Sequence, residues 1–361
     1  MTPVLATGVA AAGLAATGLA CPAPIAVTDR VQLGHGSGGK MSAALLVRTF
    51  LPHLDNPALA QLGDASIVRV GETEIAISTD TFVVHPLEFP GGDIGSLAVH
   101  GTLNDISMMG ATPICLTAGF VLEEGLPIDI LDRIVASMAV AARAAGVPVV
   151  AGDTKVVERG KADGLYINTT GVGALDADFR PAPGRARAGD VVIVSGPLAR
   201  HGMAVMAARE GLAFESTITS DSACLAPLVA RLQQEHIDVH VLRDPTRGGV
   251  ASALNEIAGA SNVGVLIEEG ALPVPDDVRA ACEMLGLDPL YVANEGILLA
   301  FVPAAESRRA IDALRSHELG WSAVPIGRVV AEHPRVVAVK TTLGGTRVVD
   351  LLPGDQLPRI C

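Results

Sequence analysis

The chain has 361 residues, 49% of them hydrophobic, enough to build one large core or two ordinary ones. A formal net charge of -13 argues against nucleic acid or an anionic membrane surface as partner, and 3% aromatics argue against base-stacking platforms. The acidic balance remains compatible with a nucleotide whose phosphates are met through Mg2+ gathered by carboxylates.

The first charged residue is Asp29. The uncharged stretch before it, rich in Ala, Gly and Thr, lacks the basic segment of an export signal, and Gly18 stands where the lipobox-like "TGLAC" needs a large aliphatic residue. We read residues 1–30 as a low-complexity extension and expect disorder over 1–28. No stretch approaches the ~20 consecutive apolar residues of a membrane helix. The five cysteines, Cys21, Cys115, Cys224, Cys282 and Cys361, are widely spaced and form no C-x-x-C pair. That spacing excludes a zinc ribbon or disulfide framework and suits a reducing cytoplasm.

From Val31 onward, strand and helix patterns interleave. Strands are expected over 73–79, 113–122, 147–153 and 165–173. "IDILDRIVASMAVAARAAG" reads as an amphipathic helix with Asp129 as its cap and Gly146 as its stop, and a second helix is expected to open at Asp93. "RPAPGRARAGD" (180–190) reads as an interdomain connection. Beyond it, "VVIVSG", "GVLIEE" and "EGILLAFV" read as strands, while "MAVMAARE" and "AESRRAIDALRS" read as helices. The fold class is therefore α/β, with an N-terminal domain over 31–182, a C-terminal domain over 183–350 and a mobile tail over 351–361.

The chemistry-bearing segments follow the same order. "GHGSGGK" (34–40) fits neither a Walker A loop nor a dinucleotide fingerprint, so a phosphate cradle and a plain flexible turn explain it equally well. Asp64, Asp80, Asp105, Asp153 and Asp244 fall at strand ends or beside glycine. One such Asp is commonly a turn former or cap, but several together form the hard-oxygen set that Mg2+–ATP requires. Lys155 and Arg247 stand beside those acids, either to counter a γ-phosphate or to pair with the neighbouring carboxylate. Glu295 precedes an apolar strand, either facing water or serving as a base in a cleft. In the closing "LPGDQLPRIC", Pro353, Gly354 and Pro358 prevent a helix. Cys361 is either an incidental thiol or the end of a swinging arm whose sulfur carries an acyl-like group.

"HGSGG", "STDTFVVHPLEFPGGDIGSLAVHGTLNDISMMGA", "GDTKVV", "DPTRGG", "NEG" and "PRIC" together resemble the HypE family, the carbamoyl dehydratases of [NiFe]-hydrogenase maturation, over residues 31 to 361. The resemblance implies a PurM-like fold, related to aminoimidazole ribonucleotide synthetase, that dimerises through its N-terminal domain. It implies that a HypF-like carbamoyltransferase loads Cys361, that ATP phosphorylates the carboxamide oxygen, and that loss of phosphate leaves a thiocyanate. The cyano group then passes to iron held by a complex of the HypC–HypD type. On this resemblance Glu295 takes the N–H protons and Lys155, with Arg247, steadies the phosphoryl group. Asp64, Asp80, Asp105, Asp153 and Asp244 supply Mg2+ contacts, and Gly36, Ser37, Gly38 and Gly39, with Asn104, complete the ATP site. The chain departs from the pattern in its uncharged extension and in "GDA", where related enzymes often show a second acid. Alternatives that keep the acidic cleft are a thiamine-monophosphate kinase or selenophosphate synthetase; a non-catalytic maturation scaffold would keep only the tail.

Overall fold

In the computed structural model, which describes residues 29–54, 56–210, 218–354, 356–357 and 359–361, two mixed sheets follow one another along the chain. The expected disorder over 1–28 lies outside the described residues.

The first sheet holds β1 (Ser66–Val70), β2 (Thr73–Phe82), β3 (Ala111–Glu123), β4 (Val149–Val157) and β5 (Leu165–Leu175), in the order β1-β2-β5-β3-β4. Only β3 and β4 run parallel, joined by the crossover helix α2 (Ile128–Ala145). That helix ends at Gly146 as expected, but Asp129 is not its cap. The helix begins one residue earlier, after Pro127, so Asp129 sits inside the first turn and its carboxylate pairs with Arg133 at 3.0 Å.

Helix α1 (Ile94–Met108) lies against the inner face of this sheet. The Asp93 side chain caps it by accepting from the Gly95 and Ser96 amides at 2.8 and 2.9 Å. The helix is apolar on nearly every side, with Leu97, Ala98, Val99, Leu103 and Ile106 fully buried, which suits a central position. Its close approach depends on Gly173 in β5, where a Cβ would collide with Cγ2 of Ile106.

The second sheet holds β6 (Asp190–Val194), β7 (Val241–Arg243), β8 (Gly264–Glu268), β9 (Leu299–Pro303), β10 (Val324–Val330), β11 (Val337–Lys340) and β12 (Thr346–Val349), in the order β12-β11-β8-β10-β6-β9-β7. Around it lie α3 (Arg200–Arg209), α4 (Ala226–Gln234), α5 (Gly249–Ser261), α6 (Asp276–Leu285) and α7 (Ser307–Arg315). The strand expected in "EGILLAFV" begins only at Leu299. Residues 295–298 form a buried turn instead, because the Glu295 and Gly296 amides donate to the Asp221 carboxylate at 3.1–3.3 Å rather than to a neighbouring strand. One cluster of buried side chains runs from Phe82 and Leu97 through Val194 to Leu254, so the two sheets share a core. Among the described residues, no helix is long and apolar enough to cross a membrane.

Candidate active site

Three acids from three separate elements meet between the sheets. Asp64 precedes β1, Asp105 lies in the last turn of α1, and Asp244 directly follows β7. One carboxylate oxygen from each falls within 4.8 Å of the others. Strand periodicity places Ser78 and Asp80 on the same face of β2, and Ser78 Oγ lies 2.7 Å from the Asp105 carboxyl and 3.0 Å from the Asp64 carbonyl, between which its one proton is shared.

The electrostatics of this cluster are one-sided. Burial, followed by mutual repulsion, holds the Asp105 carboxyl well above its ordinary range. Burial pushes Asp64 up to about 8 and Asp244 up to about 6, against the opposing pull of Arg243. Arg243 bonds directly to Asp64 and reaches Glu256 at 2.6 Å. Burial also raises Asp80, against the pull of Arg247. Asp244 Oδ2 is buried without a hydrogen-bond partner. An all-oxygen, converging and under-compensated donor set of this kind fits a hard divalent cation such as Mg2+.

Glu295 adjoins these acids. Only 2% exposed, it has a buried Oε1 without a partner, and burial, then Asp244, Asp221 and Asp80, push its carboxyl well above the usual range. Such a group can exchange a proton in a cleft closed to solvent. The Arg247 guanidinium donates to the Gly36 carbonyl at 3.0 Å and is held charged first by the negative charge at Cys361, then by Asp80 and Glu295.

The tail, read in the sequence as a swinging arm, is docked between the two sheets in this structure. Val83 N–H donates to the Cys361 carbonyl and His85 N–H to the Arg359 carbonyl, both at 3.2 Å. These bonds lay the end of the tail beside the segment that continues β2, with Arg359 in left-handed backbone at φ 55. Cys361 thereby lines a small cavity of about 50 Å3 together with Gly36, Ser37, Val83, Arg247 and Ser252. A separate open cavity of about 640 Å3 lies on the Gly38, Gly39, Leu62 and Arg243 side.

Three groups expected at the site have other partners in this structure. Asp153 and Lys155 pair with each other on the exposed edge strand β4, so within one chain they do not join the buried trio. The amides of Ser37, Gly38, Gly39 and Lys40 donate to Gly34 O, Ser42 Oγ, Ser37 Oγ and Leu352 O. Those amides are therefore already engaged and do not point freely at a phosphate; a Cβ at Gly39 would lie 2.5 Å from Leu352 O, so glycine here serves close packing against the tail. Asn104 is fully buried and bonded to Leu225 N at 2.7 Å and Ala223 O at 3.0 Å, which makes it a brace for that loop.

The AIR synthase related protein models match this chain in two blocks, the N-terminal domain over residues 62–175 and the C-terminal domain over 187–340. The carbamoyl dehydratase HypE of Azotobacter vinelandii is 51% identical over 331 residues, 92% of this chain and 97% of that protein. The chain belongs to the HypE family. A crystal structure of hydrogenase maturation protein HypE in complex with ATP aligns with a TM-score of 0.78 at 49% identity, covering 92% of this chain and 100% of that one. HypE in a HypE–HypF complex aligns with a TM-score of 0.81 at 46% identity, covering 86% of this chain and 100% of that one.

Within this HypE-family cleft, two groups escaped the sequence reading. Arg243 stands beside Asp244 in the "LRDPTRGG" segment, so adjacency alone marked it for attention. Asp221, in "SDSA", carries no such signal: it is half-buried, its carboxyl is pushed up to about 6 by desolvation, and it fixes the turn that presents Glu295.

Proposed function

We propose that this chain removes water from a carbamoyl group carried on its own C-terminal sulfur, at the expense of ATP. The thiocarboxamide at Cys361 Sγ and ATP become a thiocyanate, ADP and phosphate. The carbon–oxygen bond breaks only after phosphorylation has turned the amide oxygen into a good leaving group, and both N–H protons depart from nitrogen. The observation that carries this reading is the docked tail, which sets Cys361 in one cavity with Arg247, beside Glu295 and the buried acids. The names of the family's members support it.

In this scheme Glu295 accepts the N–H protons, and Arg247 balances the charge that grows on the transferred phosphoryl group. Asp64, Asp105 and Asp244, with Asp80 next to them, are the residues that would hold Mg2+; when bound, the cation supplies charge neutralisation at the phosphates. The 640 Å3 cavity beside Gly38 and Arg243 is our choice for the nucleoside.

Homodimerisation is part of the proposal. Strand β4 is an edge strand exposed along nearly its whole length, with Val149, Val150 and Val156 at 41%, 58% and 66%, a surface that calls for a partner. We assign Asp153 and Lys155 to that dimer face. A HypF-like carbamoyl donor and an iron-carrying HypC–HypD-type acceptor are the further partners, in the cytoplasm.

Intact mass after incubation with carbamoyl phosphate, ATP, Mg2+ and the carbamoylating partner tests the reading. The expected result is a gain of one carbamoyl, then loss of one water on ATP turnover, both absent in Cys361→Ala. ATP hydrolysis with no adduct on Cys361 would replace it with a small-molecule kinase.

A further inference from the structure

All three carbonyls at the end of the tail have donors, and two of those donors come from one helix. At the start of α3, His201 is fully buried and meets Phe89 edge-on, with ring centroids 5.4 Å apart. Its Nε2 lies 2.8 Å from the Ile360 carbonyl and its Nδ1 lies 2.8 Å from Ser220 Oγ. A carbonyl oxygen can only accept, so the ring proton resides on Nε2, and Nδ1 accepts from the Ser220 hydroxyl. Ser220 is itself fixed, its amide donating to Pro90 O at 2.8 Å and its Oγ accepting from the Ser222 amide at 3.0 Å. Burial holds His201 down at about 4, so the neutral tautomer is the one present at neutral pH.

At the other end of α3, Arg209 donates through Nη2 to the Arg359 carbonyl at 2.7 Å and through Nε to the His85 carbonyl at 2.9 Å. It thus ties the tail to the strand segment that pairs with it. Arg359 adds two side-chain contacts, to the Val83 carbonyl at 3.1 Å and to Asp163.

We propose that His201 and Arg209 are positioning residues that grip the main-chain carbonyls of Ile360 and Arg359 and so set the register at which Cys361 enters the cleft. The inference deepens the dehydratase reading and rests on it for its purpose. A slip of one residue would displace the thiol by roughly 3.3 Å along the cleft. The grip acts on carbonyl oxygens, so it fixes position without depending on the chemistry of the group that the sulfur carries.

The test is the rate at which iodoacetamide alkylates Cys361 in the full-length chain, resolved from the other cysteines by peptide mass spectrometry. The same variants are followed for ATP-driven water loss from the carbamoylated chain in a single turnover. His201→Leu should raise the alkylation rate about tenfold, the loss of one buried hydrogen bond, and Arg209→Ala, which removes two less buried ones, should raise it by a similar factor. His201→Gln keeps a donor at the Nε2 position and should restore protection to near the wild-type level, which a purely structural role for the ring would not predict. Wild-type alkylation rates in both His201→Leu and Arg209→Ala would overturn the proposal. If protection follows the expected pattern while the wild-type carbamoylated chain loses no water with ATP, the grip stands and the dehydratase reading falls.

Discussion

Asp105 and Asp153 both looked like metal ligands in the sequence, and they occupy opposite electrostatic worlds. Asp105 is held among other acids in a closed cleft that pushes its carboxyl well up. Asp153 stands in water on an edge strand, its carboxyl pulled down by the hydrogen bond from Lys155. The residue type is the same; burial and neighbours decide the chemistry. A carboxylate in solvent gains nothing from a cation that it cannot already obtain from lysine. One buried beside two like charges is relieved by a cation or a proton.

The largest effect that would break this contrast is expected from Asp105→Asn. It should lower ATP-driven water loss on the order of 100-fold and, in cation-free protein at neutral pH, raise the melting temperature, because it removes an acid that the folded state holds at a cost, either as a charge or as a retained proton. A fall in both measurements would mean that Asp105 supports the fold rather than the chemistry.

Stability against pH comes next. Asp64 at about 8 and Asp244 at about 6 retain protons in the folded state that the unfolded chain releases near 3.8, so stability falls as pH rises through that window. Cation-free protein should melt on the order of 5 °C higher near pH 5 than near pH 8, and Mg2+ should narrow the gap. A gap that Mg2+ leaves unchanged would remove the trio from the metal site.

A smaller shift is expected from Asp221→Asn. Taking away a negative charge next to Glu295 lowers that carboxyl, so the acid limb of the pH–rate profile for water loss should move down by about one unit or less. The smallest effect belongs to Asp153→Asn, which should leave the melting temperature of the monomeric chain unchanged by calorimetry. A clear loss of stability would contradict its placement in solvent.

Much of the scaffold was legible because periodicity and caps are local. The spacing of Ile134 and Met138 placed α2 on its buried side, and Asp93 announced α1 by its own side-chain chemistry. Helix α5 went unread since "DPTRGG" drew attention as a motif although it leads directly into a helix at Gly249. Strands β11 and β12, of four residues each, carry too few for alternation to stand out. The site was half legible. The acids at 64, 105 and 244 converge only through tertiary packing, and nothing local separates them from Asp153. Asn104 resembled its neighbour Asp105 in the same motif, but the ~100° step between adjacent helix residues sends it to a backbone loop instead.

The small cavity around Cys361 bears on reaction stoichiometry. A space of about 50 Å3 admits only a few water molecules. A phosphorylated carboxamide held there faces few competing nucleophiles, so hydrolysis back to the starting amide is suppressed. In the proposed reaction the number of ATP molecules cleaved per cyano group formed should therefore stay close to unity while the tail is seated, and climb when Ile360, which lines the cavity with the cysteine, is cut back to alanine.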